Sequence, residues 1–444
     1  MIGRAGLRKA ARRARGWLDS FWFIPSACIL AAIAAAAALV EVDRRFSLGG
    51  WLPGLLELGV SGSRAMLSGI GGTVFGVAGT AFSITISVVA TASTSYGPRL
   101  VRNFMADRGN QVVLGVLSAT FVYSLLVLRT VKAGGQEAGG DFVPHIAVYV
   151  AILLAVADVF LLVYFINHIA TSIRVETLSR STRDRFVDAV TRVFRERDPG
   201  AAADPPAEPV QAPAEGVHEL PARAEGYVTN VDGSLLRDAA AARDAVLALD
   251  VGVGDPVARG ERVARVWSET GAGLGEEDLA ALDRALRQAT DVAGSRDPHR
   301  DVAYAEQQVV ELAVRALSPG SNDPYTAIGA IDELVPGILL AVTRQAPPRL
   351  LADDAGVTRA AIPRVGAAEV IDLPFTHIVP YALGQPLVLE ALVGLAGRVL
   401  ARIDDAALAA RLRGHVATMV DLVERADVPG ADADRLREAA ARLP

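Results

Sequence analysis

The stretch FVPHIAVYVAILLAVADVFLLVYFI, residues 142–166, decides the fold, because its only acidic or basic residue apart from His145 is Asp158. About 20 apolar residues are enough for a helix to cross a bilayer core of about 30 Å. Three further apolar runs precede this one, at residues 21–40, 66–92 and 112–128. The sequence therefore predicts an α-helical integral membrane protein with a four-span bundle as its transmembrane domain, residues 21–172.

A secretory signal peptide is the alternative interpretation of the first apolar run, because a basic arm, residues 1–20, precedes it. The run is longer than the 7–15 apolar residues of a signal peptide. The residues that follow include Glu41, Asp43 and Arg44, which offer no small-residue cleavage site. We therefore expect an uncleaved first span.

The loops between the apolar runs differ in charge. The basic arm has a net charge of +5 and residues 41–64 have none, whereas the loop that contains Arg99, Arg102 and Arg108 has +2 and the last loop again has none. Cytoplasmic loops of membrane proteins carry the excess of Lys and Arg. Only two of the 44 basic residues are lysines, a bias typical of GC-rich bacterial genes. The pattern predicts a bacterial inner-membrane protein with both termini in the cytoplasm.

The second half of the chain has the composition of a water-exposed α+β domain. Residues 173–197 alternate charged and apolar residues at helical spacing, which predicts a cytoplasmic helix. Residues 198–217, of which 200–216 contain four prolines and few apolar side chains, have the composition of a flexible linker. Residues 271–444 show mainly helical patterns, interrupted by a short strand pair around 356–371.

A small β module is predicted at residues 218–270. Short apolar runs there are separated by Gly252, Gly254 and Gly260, which is turn chemistry. The phrase VGDPVARGERVA, residues 253–264, resembles the second half of a biotinyl or lipoyl carrier module, which implies a small β-barrel-like fold. No lysine follows Lys132, so a prosthetic group has no attachment point. The module is therefore predicted to be structural or ligand-sensing.

Small and hydroxyl residues form one stripe along the second span. At 100° per residue they fall within roughly 60° of one meridian. The stripe consists of Gly69, Gly72, Gly76, Thr80, Ser83, Ser87, Thr91 and Thr94. Small residues let helix backbones approach closely, which favours a tight seam within one chain. The alternative is that the stripe lines a pathway at a symmetry axis, where hydroxyls replace part of the water shell of an ion.

Asp158 lies near the middle of the fourth span. A carboxylate at that depth is costly, so it should face the bundle interior. One interpretation is an ion or proton site, and the other is a neutral Asp that packs against hydroxyls of the second or third span. His145 and His168 lie about 35 Å apart along the helix, so we interpret them as interfacial residues and not as a metal pair.

The most motif-like loop in the second half is Ser318-Pro319-Gly320-Ser321-Asn322-Asp323-Pro324. Asp323 can cap the following helix and Pro324 suits its first position. A helix start after a Gly/Ser loop can also hold an anion. His377 has no partner at metal-ligand spacing.

Several classes of function are excluded. A single cysteine, Cys28, excludes a disulfide framework, a Cys-based zinc site and an iron–sulfur cluster. The phosphate-loop, His-Glu-x-x-His and Gly-x-Ser-x-Gly signatures are absent, so we predict no catalytic residues, no cofactor and no enzyme. Residues 176–444 carry a net charge of −13, which disfavours nucleic acid as a partner.

Four segments carry a resemblance to a known family. They are FSITISVVATASTSYGPRLVRNFMADRGNQVVLG at 82–115, the stretch 142–172, the stretch 226–232, and RALSPGSNDPYTA at 315–327. In this order they resemble the bacterial domain of unknown function 2254 family, and the resemblance covers nearly the whole chain. It implies an integral inner-membrane protein with a cytoplasmic domain, and it implies no established activity.

These patterns favour a homo-oligomeric membrane pore or transporter for an ion or small solute, with a cytoplasmic regulatory domain. The expected partners are the lipid bilayer and further copies of the chain. The alternative is a membrane-anchored sensor or scaffold that acts through its cytoplasmic domain, in which case the spans serve only as an anchor.

Overall fold

The computed structural model describes residues 22–45, 59–96, 107–132, 142–172, 175–197, 211–271, 273–426 and 430–444. Of these, the side chains of residues 92–96 and 172–176 lie outside the description. The chain forms two compact units, residues 1–177 and 178–444, which we call the N-terminal and the C-terminal unit.

Four long helices make up the described part of the N-terminal unit. They are α1 (Phe23–Arg45), α2 (Val60–Tyr96), α3 (Arg108–Thr130) and α4 (His145–Ser172). Each contains most of one predicted span and extends beyond it at one end or both. Helix α3 contacts the other three and is the most buried of the four, so it is the centre of the bundle.

The helices of the C-terminal unit begin with α5 (Val175–Val193), which the sequence places at 173–197. The others are α6 (Gly233–Ala241), α7 (Glu276–Ala289), α8 (Val302–Ala316), α9 (Pro324–Thr343), α10 (Ala367–Ala382), α11 (Pro386–Leu400), α12 (Ala406–Arg425) and α13 (Gly430–Ala441). Helix α9 contacts α8, α10 and α11. Phe186 of α5 is fully buried against Gly337 of α9, where a methyl group would lie within 3 Å of the ring.

Five of the described helices are long and apolar enough to cross a membrane. Four are α1 to α4, and the fifth is α9 in the C-terminal unit. Length and composition therefore confirm several apolar membrane helices but not the predicted count of four.

Two small sheets lie in the C-terminal unit. Their strands are β1 (His218–Pro221), β2 (Gly226–Val231), β3 (Ala245–Leu249), β4 (Pro256–Val257), β5 (Arg262–Ser268), β6 (Thr290–Ala293), β7 (Leu350–Ala352) and β8 (Thr358–Ala361). One sheet has the order β1-β5-β3-β8-β7 and the other β4-β2-β6. All pairs are antiparallel except β3 with β8, which is parallel.

The predicted barrel-like module is not confirmed, because the strands between 218 and 268 belong to two different sheets. Every residue of β3 is buried, so β3 needs a neighbour on each edge. The second neighbour is β8, which comes from a hairpin about 100 residues later. Arg359 of β8 bonds Asp244 at 2.8 Å and Asp353 at 2.6 Å, which holds this hairpin against the start of β3.

Two parts of the C-terminal unit differ from the sequence prediction. The strand pair expected around 356–371 lies earlier, at β7 and β8, and Val370 and Ile371 are buried in helix α10. Helix α10 includes Pro374 and Pro380 in its interior, and its apolar face compensates for the lost backbone bonds. Most of the predicted linker, residues 198–210, lies outside the described residues, and residues 211–216 are irregular.

Candidate functional site

Asp158 lies on the inward face of α4 and is only 5% exposed. The buried residues of this helix recur at helical spacing, at Ala147, Ala151, Asp158 and Phe165. Its outward face is apolar and exposed, with Leu153, Val156, Val159, Phe160 and Val163. The only acidic residue of α4 is therefore directed into the bundle, as the sequence predicts for a carboxylate at this depth.

Two buried hydroxyl residues lie one turn apart on α3, and the first of them lies beside Asp158. Thr120 and Ser124 are at most 1% exposed, and Thr120 is the side chain whose hydroxyl interacts with the Asp158 carboxyl. Gly71 of α2 packs at this level too, where a methyl group would lie 3.6 Å from the Ser124 β-carbon. We call Asp158, Thr120 and Ser124 the polar layer.

The polar layer has unused hydrogen-bonding capacity. Among the described residues, neither carboxylate oxygen of Asp158 has a hydrogen bond of ordinary geometry, and the same holds for the hydroxyl oxygens of Thr120 and Ser124. Buried polar atoms in proteins are normally paired. A carboxyl group beside two hydroxyl oxygens can take up a proton or provide oxygen ligands for a cation.

Apolar side chains close the bundle on both sides of the polar layer. On α3, Thr120 lies between Leu117, which belongs to one buried cluster, and Tyr123, which belongs to another. On α4, Asp158 lies between Ala151 of the second cluster and Phe165 of the first. The polar layer is thus separated from both ends of the bundle by packed apolar residues.

At the end of the bundle where α1 finishes, Asp43 holds the start of α4. Its two carboxylate oxygens accept the backbone N–H groups of Ile146 and Ala147, each at 3.1 Å. The Tyr123 hydroxyl donates to the Ala147 carbonyl at 2.9 Å. These bonds use backbone groups that a helix start leaves unpaired, so they fix α4 against α1 and α3.

At the opposite end, Asp107 and His168 bond each other. Asp107 caps α3 by accepting the Gly109 N–H at 2.7 Å, and its other oxygen lies 2.9 Å from His168 Nε2. The His168 ring stacks on Tyr164. His168 is therefore a structural link between α3 and α4 at the end of its helix, which agrees with the prediction of an end position.

The small-residue stripe of α2 faces away from the bundle. Gly69, Gly72, Gly76, Thr80, Ser83, Ser87 and Thr91 are all exposed, and the side chain of Thr94 lies outside the described residues. A methyl group at Gly69, Gly72 or Gly76 would meet no atom within 4 Å. The buried face of α2 is instead formed by Ser63, Leu67, Gly71, Val74, Ala81 and Thr85. A seam between the described helices of one chain therefore does not account for the stripe.

The hydroxyls of this stripe bond to their own helix. Thr80 donates to the Gly76 carbonyl at 3.1 Å, Ser83 to the Gly79 carbonyl at 3.0 Å, and Thr91 to the Ser87 carbonyl at 3.0 Å. Such bonds to the preceding turn satisfy the hydroxyl hydrogens and leave the oxygens as acceptors. Along the stripe itself α2 carries only small side chains, as in helices that approach each other closely.

The loop Ser318–Pro324 has the geometry of a helix cap. Asp323 accepts the Thr326 N–H at 3.1 Å and the Thr326 hydroxyl at 2.6 Å, which lowers the pKa of its carboxyl. Pro324 occupies the first turn of α9. Asn322 has a positive φ of 43° and accepts a bond from Gln385 at 2.8 Å. The contacts of Asp323 and Pro324 are those of a helix cap, and the Gln385 bond ties the loop to the residue before α11.

The structure brings Asp158 together with Thr120, and the stripe of α2 lies on the face that is exposed among the described helices. The residues Thr120, Ser124 and Asp107 were not singled out from the sequence. Hydroxyl residues in an apolar span are a weak signal of a functional site, because the sequence does not show whether the helix turns them toward the bundle interior or toward its surface. The signal for Asp107 is stronger, because Asp immediately before a helix is a preferred capping residue.

Several long apolar helices, a buried carboxylate among them and a separate α/β unit define the class, a polytopic membrane protein with a large extramembrane part. A family model described as a predicted membrane protein, DUF2254, matches residues 18–396. The chain belongs to this family, which confirms the resemblance stated above.

Two relatives extend over almost all of the chain. An uncharacterized protein of Mycobacterium tuberculosis strain H37Rv is 30% identical over 422 residues, which cover 95% of this chain and 79% of the relative. An uncharacterized protein of Mycobacterium bovis matches with the same identity and coverage. No solved structure matches the chain significantly.

Proposed function

We propose that the protein is a homo-oligomeric membrane transporter for an ion or small solute, and that the C-terminal unit regulates it. The observation that carries this proposal is the polar layer, in which the carboxyl group of Asp158 is buried beside the hydroxyl of Thr120 without a hydrogen bond of ordinary geometry among the described residues. Ionisable residues inside apolar spans are costly, and they mark ion and proton pathways.

The apolar clusters favour a transporter over a permanently open pore. Packed side chains separate Asp158 from both ends of the bundle, so an ion or proton reaches the carboxyl only when one cluster rearranges. Opening one side at a time is the principle of alternating access. The carboxyl would bind the transported ion or the coupling proton, and Thr120 and Ser124 would supply further oxygen ligands.

The faces of the helices support four spans. The outward face of α4 is apolar, whereas α9 carries Asp332 and Glu333 in its middle, and both form ion pairs within the C-terminal unit. This pattern supports α9 as a core helix in water. With four spans, the alternation of basic and neutral loops supports an inner-membrane protein with both termini in the cytoplasm.

The exposed stripe of α2 supports self-association. Apolar side chains gain little by leaving lipid for another helix, so membrane helices associate through small residues that allow close packing. Gly72 and Gly76 have the spacing of such contacts, and the stripe continues through Thr80 and Ser83 on the same exposed face. A second copy of the chain is the occupant that this surface fits.

The transport proposal is tested in proteoliposomes with a trapped pH-indicator dye and imposed gradients of protons, Na⁺ or K⁺. The wild-type protein should carry flux above protein-free liposomes, and Asp158→Asn should abolish it, because Asn keeps the shape but cannot titrate. Glu41→Gln is the matched control, since Glu41 is an exposed carboxylate at the end of α1. Equal flux for Asp158→Asn and wild type, or no flux from folded wild-type protein, rejects the proposal and favours the sensor or scaffold.

Self-association is tested by cross-linking in a Cys28→Ala background. Ser83→Cys on the stripe should give disulfide-linked dimers in membranes, whereas Val159→Cys on the outward face of α4 should give few. Gly76→Leu should lower the oligomer size in mild detergent. Equal cross-linking at both positions would reject the α2 contact.

A further inference from the structure

A cavity of about 600 Å³ lies within the C-terminal unit. Its walls come from the end of α5, strand β2, the start of α8 and the segment between β8 and α10. Pockets for small molecules commonly have volumes of about 300–1,000 Å³. The cavity is therefore large enough for a ligand of nucleotide size.

Four arginines contribute to the wall of this cavity, namely Arg192, Arg195, Arg300 and Arg364. In the part of the chain that the structure describes, none of the four takes part in an ion pair. Arg300 donates to the side-chain oxygen of Asn230, which also lines the cavity. Guanidinium groups that meet in one cavity without carboxylate partners are an arrangement that binds anions.

The three carboxylates at the cavity wall do not neutralise these arginines. Asp301 is held by Arg296, at 2.6 Å and 2.9 Å, and Glu369 is paired with Arg349. Neither Arg296 nor Arg349 belongs to the wall. Asp255 accepts the Gly252 N–H at 2.8 Å and is the one acid left to offset four positive charges. The cavity thus has a clear excess of positive charge.

Arg364 is the arginine of this cavity with a buried hydrogen-bond donor left unused. Its Nε atom is buried and has no hydrogen-bond partner in the described part of the chain. Burial, together with the neighbouring charge of Arg195, lowers the pKa of Arg364. An anion bound between these two arginines would supply the missing acceptor and relieve their repulsion.

The rest of the wall suits the uncharged part of such a ligand. Pro347, Pro363, Val253 and Val365 provide apolar surface, and Thr229 and Asn230 provide polar groups beside it. Inorganic phosphate alone would leave most of 600 Å³ empty. A molecule with phosphate groups at one end and a flat, partly apolar ring at the other fills both regions.

We propose that this arginine-lined cavity binds a phosphate-bearing metabolite of nucleotide size. Arg364 and Arg195 would bind the phosphate, Arg300 a second negative charge, and the prolines and valines the ring. Because Arg192 and Arg195 lie at the end of α5, which begins three residues after α4 ends, the ligand would contact the helix that follows the last membrane helix. The binding site does not depend on the proposed transport activity.

The test uses the full-length protein in detergent and a panel of adenine, guanine, cytosine and uracil ribonucleotides with one to three phosphates, and of cyclic dinucleotides. Binding is measured by thermal shift and by isothermal titration calorimetry. At least one member should bind, and its affinity should fall as NaCl is raised, because the contacts are ionic. Inorganic pyrophosphate should compete at a higher concentration.

Arg364→Gln should weaken that binding about tenfold or more, as the loss of a charge-assisted hydrogen bond implies. Arg300→Gln, an exposed side chain at the cavity wall, should weaken it as well and keeps the test valid if Arg364→Gln fails to fold. Arg287→Gln is the control, since it removes an exposed arginine of α7 that pairs with Asp283. The proposal is overturned if no member of the panel binds, or if Arg300→Gln and Arg287→Gln bind equally well. Neither result bears on the flux experiment.

Discussion

Helices α4 and α9 are both long and apolar, but they direct their charges in opposite ways. In α4 the acidic residue Asp158 is buried, and the exposed face is apolar. In α9 the exposed side carries Asp332, 3.0 Å from Arg398, and Glu333 is 3.0 Å from Arg183. The buried face of α9 is apolar, with Ile331, Leu334 and Ile338 among its residues.

This contrast shows that composition alone does not identify the surroundings of a helix. An apolar outward face is stable in hydrocarbon, whereas an outward carboxylate with an arginine partner is stable in water. Helix α4 therefore has the surface of a membrane helix and α9 that of a core helix. The following predictions compare the outward faces first, then the buried faces, then the start of α9.

The largest effect is expected when an arginine is placed on each outward face. Val159→Arg puts a charge near the middle of the lipid-facing side of α4, which should cost about 2.5–3.5 kcal/mol and reduce membrane-inserted protein. Gly329→Arg on α9 should be tolerated or stabilising by up to about 1 kcal/mol, since a side chain there meets nothing and Gly disfavours helix. Quantitative extraction from membranes and thermal unfolding measure both. Similar losses of stability and of membrane-inserted protein in the two variants would contradict the difference between the outward faces of α4 and α9.

Replacing Asp158, on the inward face of α4, should raise the stability of the protein but abolish its transport activity. Asp158→Leu replaces an unpaired buried carboxyl and should raise the free energy of unfolding by about 1–3 kcal/mol while abolishing flux. Asp43→Ala is the matched change in the same unit, and it should lower that free energy because two backbone bonds at the start of α4 are lost. Denaturation in detergent measures whether each substitution raises or lowers the free energy of unfolding. A destabilised Asp158→Leu would mean that the carboxyl supports the fold.

The C-terminal unit has its own buried carboxylate, Glu306 of α8. Its side chain is fully buried, both oxygens lack a hydrogen bond, and burial raises the pKa of the carboxyl well above the usual range, with Asp372 adding to the rise. The folded state then holds a proton that the unfolded chain releases above about pH 4.3. Stability should accordingly fall as pH rises from there to the folded pKa, by up to about 1.4 kcal/mol per pH unit.

Glu306→Gln should remove this slope and stabilise the protein at neutral pH. Glu311→Gln, on the same helix but paired with Arg315 at 2.9 Å, should leave the slope in place. Thermal unfolding between pH 5 and 8 distinguishes the two variants. An unchanged slope in Glu306→Gln would show that another group titrates.

The smallest effect concerns the cap of α9. Asp323→Ala should lower the free energy of unfolding by about 1 kcal/mol and Asp323→Asn by much less, because Asn caps almost equally well. The measurement is chemical denaturation of the full-length protein. A large loss of function in Asp323→Asn at unchanged stability would contradict capping as the role of the loop.

The sequence predicted what depends on local pattern. The four apolar helices of the N-terminal unit, the interior position of Asp158 and the cap at Asp323 follow from hydropathy, solvation and propensity. The direction of the α2 stripe does not, because a stripe of small residues packs equally well inside a chain or between chains. The position of Thr120 beside Asp158 depends on the rotation of α3 about its axis, which tertiary packing decides.

Contacts between residues far apart in the sequence account for the other differences between the sequence prediction and the structure. Strand β8 completes a sheet whose other core strand lies about 100 residues earlier, and a short run such as Thr358–Ala361 carries no sign of that partner. Helix α10 contains Pro374 and Pro380, which disfavour a helix locally. Its buried apolar face outweighs this preference in the folded chain.

Cysteine labelling with a membrane-impermeant maleimide tests the contrast between α4 and α9 most directly. In a Cys28→Ala background, Lys132→Cys after α3 and Asp332→Cys on α9 each provide one thiol. The account predicts that Lys132→Cys reacts in intact cells, whereas Asp332→Cys reacts only after the membrane is permeabilised. Reaction of Asp332→Cys in intact cells would place this part of α9 outside the cytoplasm, and protection from the reagent after permeabilisation would place it in the membrane. Either result would contradict the account.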